Sequence, residues 1–168
     1  MKLSIANVDA VLPMGPLCHI SARDQRLAAL REVHRVLKPG GLLVATAISL
    51  FASLLHGIRQ AFIDDPTFGS MLRRDLEDGQ HRGRLDTLSH FTTAFLHRPE
   101  ELEGELHEAG YHQQGLYAVE GPGEMAPDLD DRMSNPRKRE QLLGWIRSVE
   151  QEKTLLGASS HSLVVTTK

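Results

Sequence analysis

Apolar positions fall into two rhythms along the chain. Val8, Ala10, Val11 and Leu12 form a short run closed by Pro13, Gly15 and Pro16. A brief apolar stretch ended by turn residues fits a strand buried on both faces, and it predicts a strand over Val8 to Met14. Leu27, Leu30, Val33 and Leu37 then recur at three to four residues. That spacing gives one apolar stripe and predicts a helix from Ser21 or Arg23 to Leu37. Ser21 with Asp24 resembles a capping box, and His34, Arg35 and Lys38 suit the negative end of the helix dipole. Pro39-Gly40-Gly41 stop the helix, and Leu42 to Ile48 (LLVATAI) predicts a second buried strand. Strand, helix, glycine turn and strand make half of a doubly wound sheet with a right-handed crossover.

The middle of the chain changes character. Phe51, Leu54, Leu55, Ile58 and Phe62 define one amphipathic helix, and Phe68, Met71, Leu72 and Leu76 define another after Asp64-Asp65-Pro66. Glu77 to Ser89 has two glycines and no period, so it reads as a loop. Residues 49–97 thus look like a helical and loop insertion, longer than a compact crossover needs. The α/β rhythm returns at Arg98, with Pro99 suited to a first helical turn and Gly110 to its end. His112 to Glu120 reads as a strand, Gly121 to Met133 as a connection, Asn135-Pro136 as a helix start, and Ser160 to Thr167 as the last strand. Four strands and about five helices result, in one domain over 1–168.

Composition narrows the function. The 168 residues are 40% hydrophobic and 24% charged, with a formal net charge of −3. That balance argues against disorder and gives no electrostatic basis for gripping a phosphate backbone. A single cysteine, Cys18, leaves no internal disulfide and no cysteine-rich zinc site. No apolar run reaches membrane-spanning length, so a soluble cytoplasmic protein is the default. There is no phosphate-binding loop, dinucleotide fingerprint, nucleophile elbow or HExxH motif. The nine histidines show no helical i, i+4 pair, so no metal site is expected. Cys18 reads as an inert buried thiol, and Glu120-Gly121-Pro122-Gly123-Glu124 as a turn with solvated charges. Position is the stronger pointer: ligands of open α/β sheets sit beyond the carboxyl ends of the strands, near Met14 to His19 and Ser49.

The run VDAVLPMGPLCHI followed by RDQRLAALREVHRVLKPGGLLVATAIS resembles the fourth strand, next helix and fifth strand of class I S-adenosylmethionine-dependent methyltransferases. DGQHR, HFTTAFLHRPEELEGELHEAGY and YAVEGPGEMAPDLDDR are similar to an inserted segment, helix and sixth strand of small-molecule enzymes in that superfamily. The resemblance implies a partial doubly wound, Rossmann-like sheet of strand order 4-5-7-6 with a helical insertion after the second strand. It implies S-adenosylmethionine as cofactor and a small molecule as methyl acceptor. The family's glycine-rich loop and ribose-binding acid lie upstream of its fourth strand and have no counterpart in this sequence. The expectation is therefore a truncated methyltransferase-like chain that alone binds the cofactor weakly. The alternative is a non-catalytic subunit that docks on another chain.

By the same resemblance, Gly15, Pro16, Leu17 and His19 border the cofactor. Cys18 replaces the aromatic residue usual in that loop and, with Arg82, Phe91 and Thr92, borders the acceptor. His19 and His81 are the candidate bases, because neutral imidazole is available near neutral pH. An interior-type strand at the sheet boundary offers unpaired backbone groups. Val8 to Met14 is thus expected to pair with a second copy of the chain or with a separate N-terminal half.

Overall fold

The computed structural model describes residues 6–82 and 93–168. Its axis is β2 (Leu37–Ser49), and the other strands are arranged around it. β1 (Val8–Val11) lies parallel to β2, with Ala10 opposite Leu42 and Val11 opposite Leu43. The helix α1 (Arg23–Val36) connects them. On the other edge of β2 runs β6 (His161–Thr167), antiparallel, and β5 (His112–Ala118) pairs antiparallel with β6.

The insertion contributes α2 (Ala52–Arg59), α3 (Pro66–Asp78) and two strands the apolar pattern did not predict, β3 (Gln80–Arg82) and β4 (Thr93–His97). β3 and β4 are antiparallel to each other, and β4 runs parallel to the end of β2 through Ile48 and Ser49. The sheet therefore has six strands on the path β3-β4-β2-β6-β5, with β1 also on β2. The expected four-strand sheet was incomplete, because β1 spans only the first part of a 13-residue strand. Its far end is left to β4. Of the segment expected as a loop, Glu77 to Ser89, the first two residues close α3, Gln80–Arg82 is strand, and residues 83–89 lie outside the described residues.

Three further expectations need correction. The first strand stops at Val11, and Met14 makes only an isolated bridge to Thr46. Pro13 has no N–H to give the ladder. Nor is the strand buried on both faces: Asp9 and Ala10 are exposed, and Asp9 pairs with Lys38 at 2.8 Å. β2 is its one partner among the described residues. Second, Ser21 does not cap α1, whose cap position is Ala22. The Ser21 carbonyl instead accepts from Arg26 Nη1 at 2.8 Å. Third, the helix ends at Val36, and Pro39-Gly40-Gly41 lie inside β2. They are held there by the chain end: Gly40 N donates to Lys168 O, and Lys168 N to Gly41 O. The Lys168 ammonium also donates to His34 O and Leu37 O at 2.6 and 2.8 Å, which satisfies carbonyls at the negative end of α1.

α4 (Pro99–Glu108) begins at Pro99 as its sequence implies, with the Glu101 carboxylate accepting from Arg98 N. The connection after β5 holds a short 3-10 turn (Gly121–Met125), α5 (Leu129–Ser134) and α6 (Pro136–Val149), the last capped by the Asn135 side chain. One core lies between β2 and the helices α1 and α4, around Leu30, Leu37, Leu43, Leu102, Leu106 and Tyr111. A smaller one, with Leu50, Ala94 and Leu96, seats the insertion on the end of β2.

Candidate functional site

Two pockets open at the carboxyl ends of β1 and β2 and share Ile48 and His161 as a common wall. The first, of about 220 Å³, is bounded by Met14, Gly15, Cys18, His19 and Thr46. Gly15 has φ 108°, and a Cβ there would face open space, so glycine is required by the backbone turn and leaves the loop's peptide edge bare. Pro16 and Leu17 shape the loop without lining it: they start a 3-10 turn (Pro16–His19), and Leu17 turns into the core. The buried Cys18 thiol donates to Gly15 O at 2.8 Å. Burial pushes its pKa up, which suits a structural thiol rather than a nucleophile.

The second pocket, of about 280 Å³, lies under the insertion, with Ala52, Phe68, Met71 and Leu96 as apolar walls. Its polar groups are Ser53, His56, His81, Ser160 and His161. His81 is buried on β3, and its Nδ1–H donates to Asp75 Oδ2 at 2.7 Å. A carboxylate only accepts, so the bond fixes the proton on Nδ1. Ser53 Oγ donates to the same oxygen at 2.7 Å, while Asp75 Oδ1 is buried with no hydrogen-bond partner among the described residues. Ser53 thus contacts the carboxylate and not the imidazole. The cluster is an oriented histidine, not a nucleophilic triad.

A second histidine–carboxylate pair stands at the seam of the pockets. His161 Nδ1–H donates to Glu120 Oε1 at 2.6 Å, and His161 N donates to Glu120 Oε2 at 2.9 Å. Ser159 Oγ lies 2.8 Å from Oε2. Glu124 is buried and accepts from Ser160 N and Ser160 Oγ. The two glutamates expected as solvated turn charges instead cradle residues 159–161, because the 3-10 turn after β5 folds back onto the start of β6. Burial works against the Glu120 charge, yet the bonds from His161 and Ser159 reverse it and bring the carboxyl to about 2. The same Glu120 bond raises the His161 pKa against burial, with Glu124 adding to it.

Beneath the loop lies a buried charge network. Arg26 and Glu105, 1% and 2% exposed, meet through contacts of 2.6, 3.0 and 3.2 Å. Arg26 Nη1 also donates to Ile20 O and Ser21 O, the exit of the Gly15–His19 loop. Its guanidinium sits 3.6 Å from the centre of the Phe95 ring.

Of the residues expected from sequence, Gly15, Cys18, His19 and His81 come to the cleft. Arg82 does not: it is exposed on the other face of β3 and pairs with Asp78 at 3.0 Å. Phe91 and Thr92 lie outside the described residues. Asp75, Ser53, Glu120, Ser160 and His161 were not singled out for the site.

Residues 1–45 match the family model of a methyltransferase domain. Over its full length the chain superposes on a SAM-dependent methyltransferase from Methanosarcina mazei, with TM-score 0.59 and 13% identity. The fold is that of the class I S-adenosylmethionine-dependent methyltransferases. A methyltransferase from Mesorhizobium loti superposes with TM-score 0.57 and 14% identity, again over 100% of this chain. A Haloferax volcanii methyltransferase in complex with the Trm112 methyltransferase activator gives 0.50 and 15%, over 99%. The chain spans 62%, 65% and 57% of these methyltransferase-fold chains, respectively. No curated relative matches it in sequence. Beside the smaller pocket, at the carboxyl end of β1, stands a bare glycine turn. Among the described residues no helix is long and apolar enough to cross a membrane.

Proposed function

We propose that this chain forms the acceptor side of the catalytic cleft of a methyltransferase that acts on a small molecule, with 49–97 as its acceptor-binding insertion within a single domain. The carrying observation is the adjacency of the two pockets: one wall, Ile48 and His161, serves both the loop after β1 and the chamber under the insertion. S-adenosylmethionine, when bound, supplies an electrophilic methyl group. Met14, Gly15 and His19 border its methionine end. The apolar walls of the larger pocket exclude water and align the acceptor, and alignment supplies most of the catalysis in an in-line displacement. His81 takes the acceptor's proton at Nε2, since Asp75 holds the opposite ring nitrogen protonated. His19, the other candidate base, lines the smaller pocket on the cofactor side.

The loop after β1 is the one cofactor-side wall among the described residues, so the chain by itself binds the cofactor weakly. S-adenosylhomocysteine at millimolar concentration should shift the amide NMR signals of Met14, Gly15 and His19. Absence of any shift in that loop overturns the reading, and a micromolar Kd by calorimetry overturns its weak-binding part. The exposed Asp9 and Ala10 of β1, with Leu12 and Met14 just beyond it 61% and 49% exposed, support pairing with a second copy or a separate N-terminal half. Its structural neighbour from Haloferax volcanii is bound to a partner protein. Light scattering that finds a monomer at every concentration removes the second-copy form.

A further inference from the structure

Among the described residues, none lining either pocket is acidic and none is lysine or arginine; His19, His56, His81 and His161 are the basic groups there. Any charge on a bound molecule must therefore be answered by imidazole. His161 is the one placed at the seam, where an acceptor in the larger pocket meets the smaller one. Its Nδ1–H and main-chain N–H are both taken by Glu120, and Ser159 braces that carboxylate from behind. Such a triple anchor fixes the ring and leaves its other edge, Nε2, turned from the glutamate.

We propose that the acceptor is a carboxylic acid with a compact apolar body, its carboxylate docked on His161 at Nε2 and its body in the chamber of Phe68, Met71 and Leu96. This deepens the methyl-transfer reading and rests on it for the term acceptor. A charged imidazole donating to a carboxylate gives a charge-assisted hydrogen bond, stronger than a neutral one. Glu120 favours that charged form, and Glu124 adds to it. His161 shares the smaller pocket with His19 and Cys18 and the larger one with His56 and His81, so among the described residues no carboxylate competes with the ligand from either pocket wall. The arrangement separates two tasks: His81, oriented by Asp75, handles a proton, and His161, held by Glu120, handles a charge.

The test uses the full chain with benzoate as probe and benzamide as its uncharged counterpart, read by the imidazole ¹⁵N signals of His161. Benzoate should bind about tenfold tighter than benzamide at pH 6 and lose that advantage by about pH 9. His161→Gln should abolish the preference. Glu120→Gln keeps the ring but should move the loss of preference to lower pH, a readout that a merely structural role of the pair would not move. Equal binding of the two probes, no binding of either, or a preference that survives in folded His161→Gln overturns the inference. S-adenosylhomocysteine separates the two levels. If it shifts the loop and benzoate is not preferred, the substrate class fails alone; if benzoate docks on His161 but S-adenosylhomocysteine leaves the loop unshifted, the carboxylate site stands and its role as acceptor site falls.

Discussion

Replacing Glu105 by glutamine tests how the cleft is held from below. The change keeps the shape of the side chain and removes its charge. What remains is a guanidinium 1% exposed, with two backbone carbonyls and the Phe95 ring as partners. Breaking a buried pair by removing one partner costs about 3–5 kcal/mol, and the surviving carbonyl and ring contacts place this case at the lower end. The carboxyl's own titration gives a second figure. Burial alone would raise its pKa above the usual 4.5, yet it lies at about 2. The His97 imidazole and the Arg26 guanidinium reverse the sign. At 3.6 Å the His97 contact is longer than a hydrogen bond, so the guanidinium, in contact at 2.6 Å, is the main holder. A gap of that size is worth about 3 kcal/mol.

The sign follows from linkage. The folded pKa lies below the unfolded one, so the stabilisation is complete above about pH 4.5 and is lost as pH falls through about 2. Urea unfolding at pH 7 should show Glu105→Gln less stable by about 3 kcal/mol, with Tm lower by roughly 6–12 °C. The difference should shrink as the wild type is acidified. The double variant Arg26→Met with Glu105→Leu should recover to within about 1 kcal/mol, since a buried pair is often no better than an apolar replacement. A single-variant loss below about 1 kcal/mol at pH 7, or a gap unchanged in acid, refutes the reasoning.

Other perturbations bear on neighbouring parts of the cleft. Asp75→Asn should release the His81 tautomer, so that imidazole ¹⁵N shifts report less Nδ1–H than in the wild type; an unchanged tautomer would deny Asp75 its positioning role. Gly79→Ala should cost at least about 2 kcal/mol in urea unfolding, because φ is +68° and a Cβ would stand 2.7 Å from Leu96 O; a loss under about 0.5 kcal/mol would contradict this. Glu120, also ionising at about 2, should add to acid destabilisation between about pH 4.5 and pH 2, less than Glu105 because its side chain is 30% exposed; a Glu120→Gln variant that loses as much stability in acid as the wild type rules this out.

The sequence carried the framework more clearly than its edges. α1 and the strands beside it were legible because their apolar positions follow helix and strand periods. The start of β2 was not, because Pro39-Gly40-Gly41 normally break structure. Here backbone bonds to Lys168, 128 residues away from Gly40, hold them in a strand, and no local pattern encodes that. β3 escaped for another reason: Gln-His-Arg has neither apolar alternation nor β-branched residues, and its partner β4 supplies the order. Glu120 and Glu124 were misread for the same reason, since what buries them is a contact with the start of β6 made only when the chain folds back.

The functional groups left a local trace that composition alone hides. On α3 the apolar face at Phe68, Met71 and Leu72 continues to Asp75, and on α4 the face at Leu102, Leu106 and Ala109 includes Glu105. Helical spacing puts both carboxylates on the buried stripe, where an ionised group is unstable unless a partner meets it. Each therefore predicts a buried cation or donor before any fold is known. The partners prove to be His81 and Arg26, one facing the larger pocket and the other holding the exit of the Gly15–His19 loop. A carboxylate out of phase with its helix's polar face is thus the feature of this sequence that reports on the cleft. The surface-facing Arg82, matched by resemblance alone, lacks that feature and sits away from it.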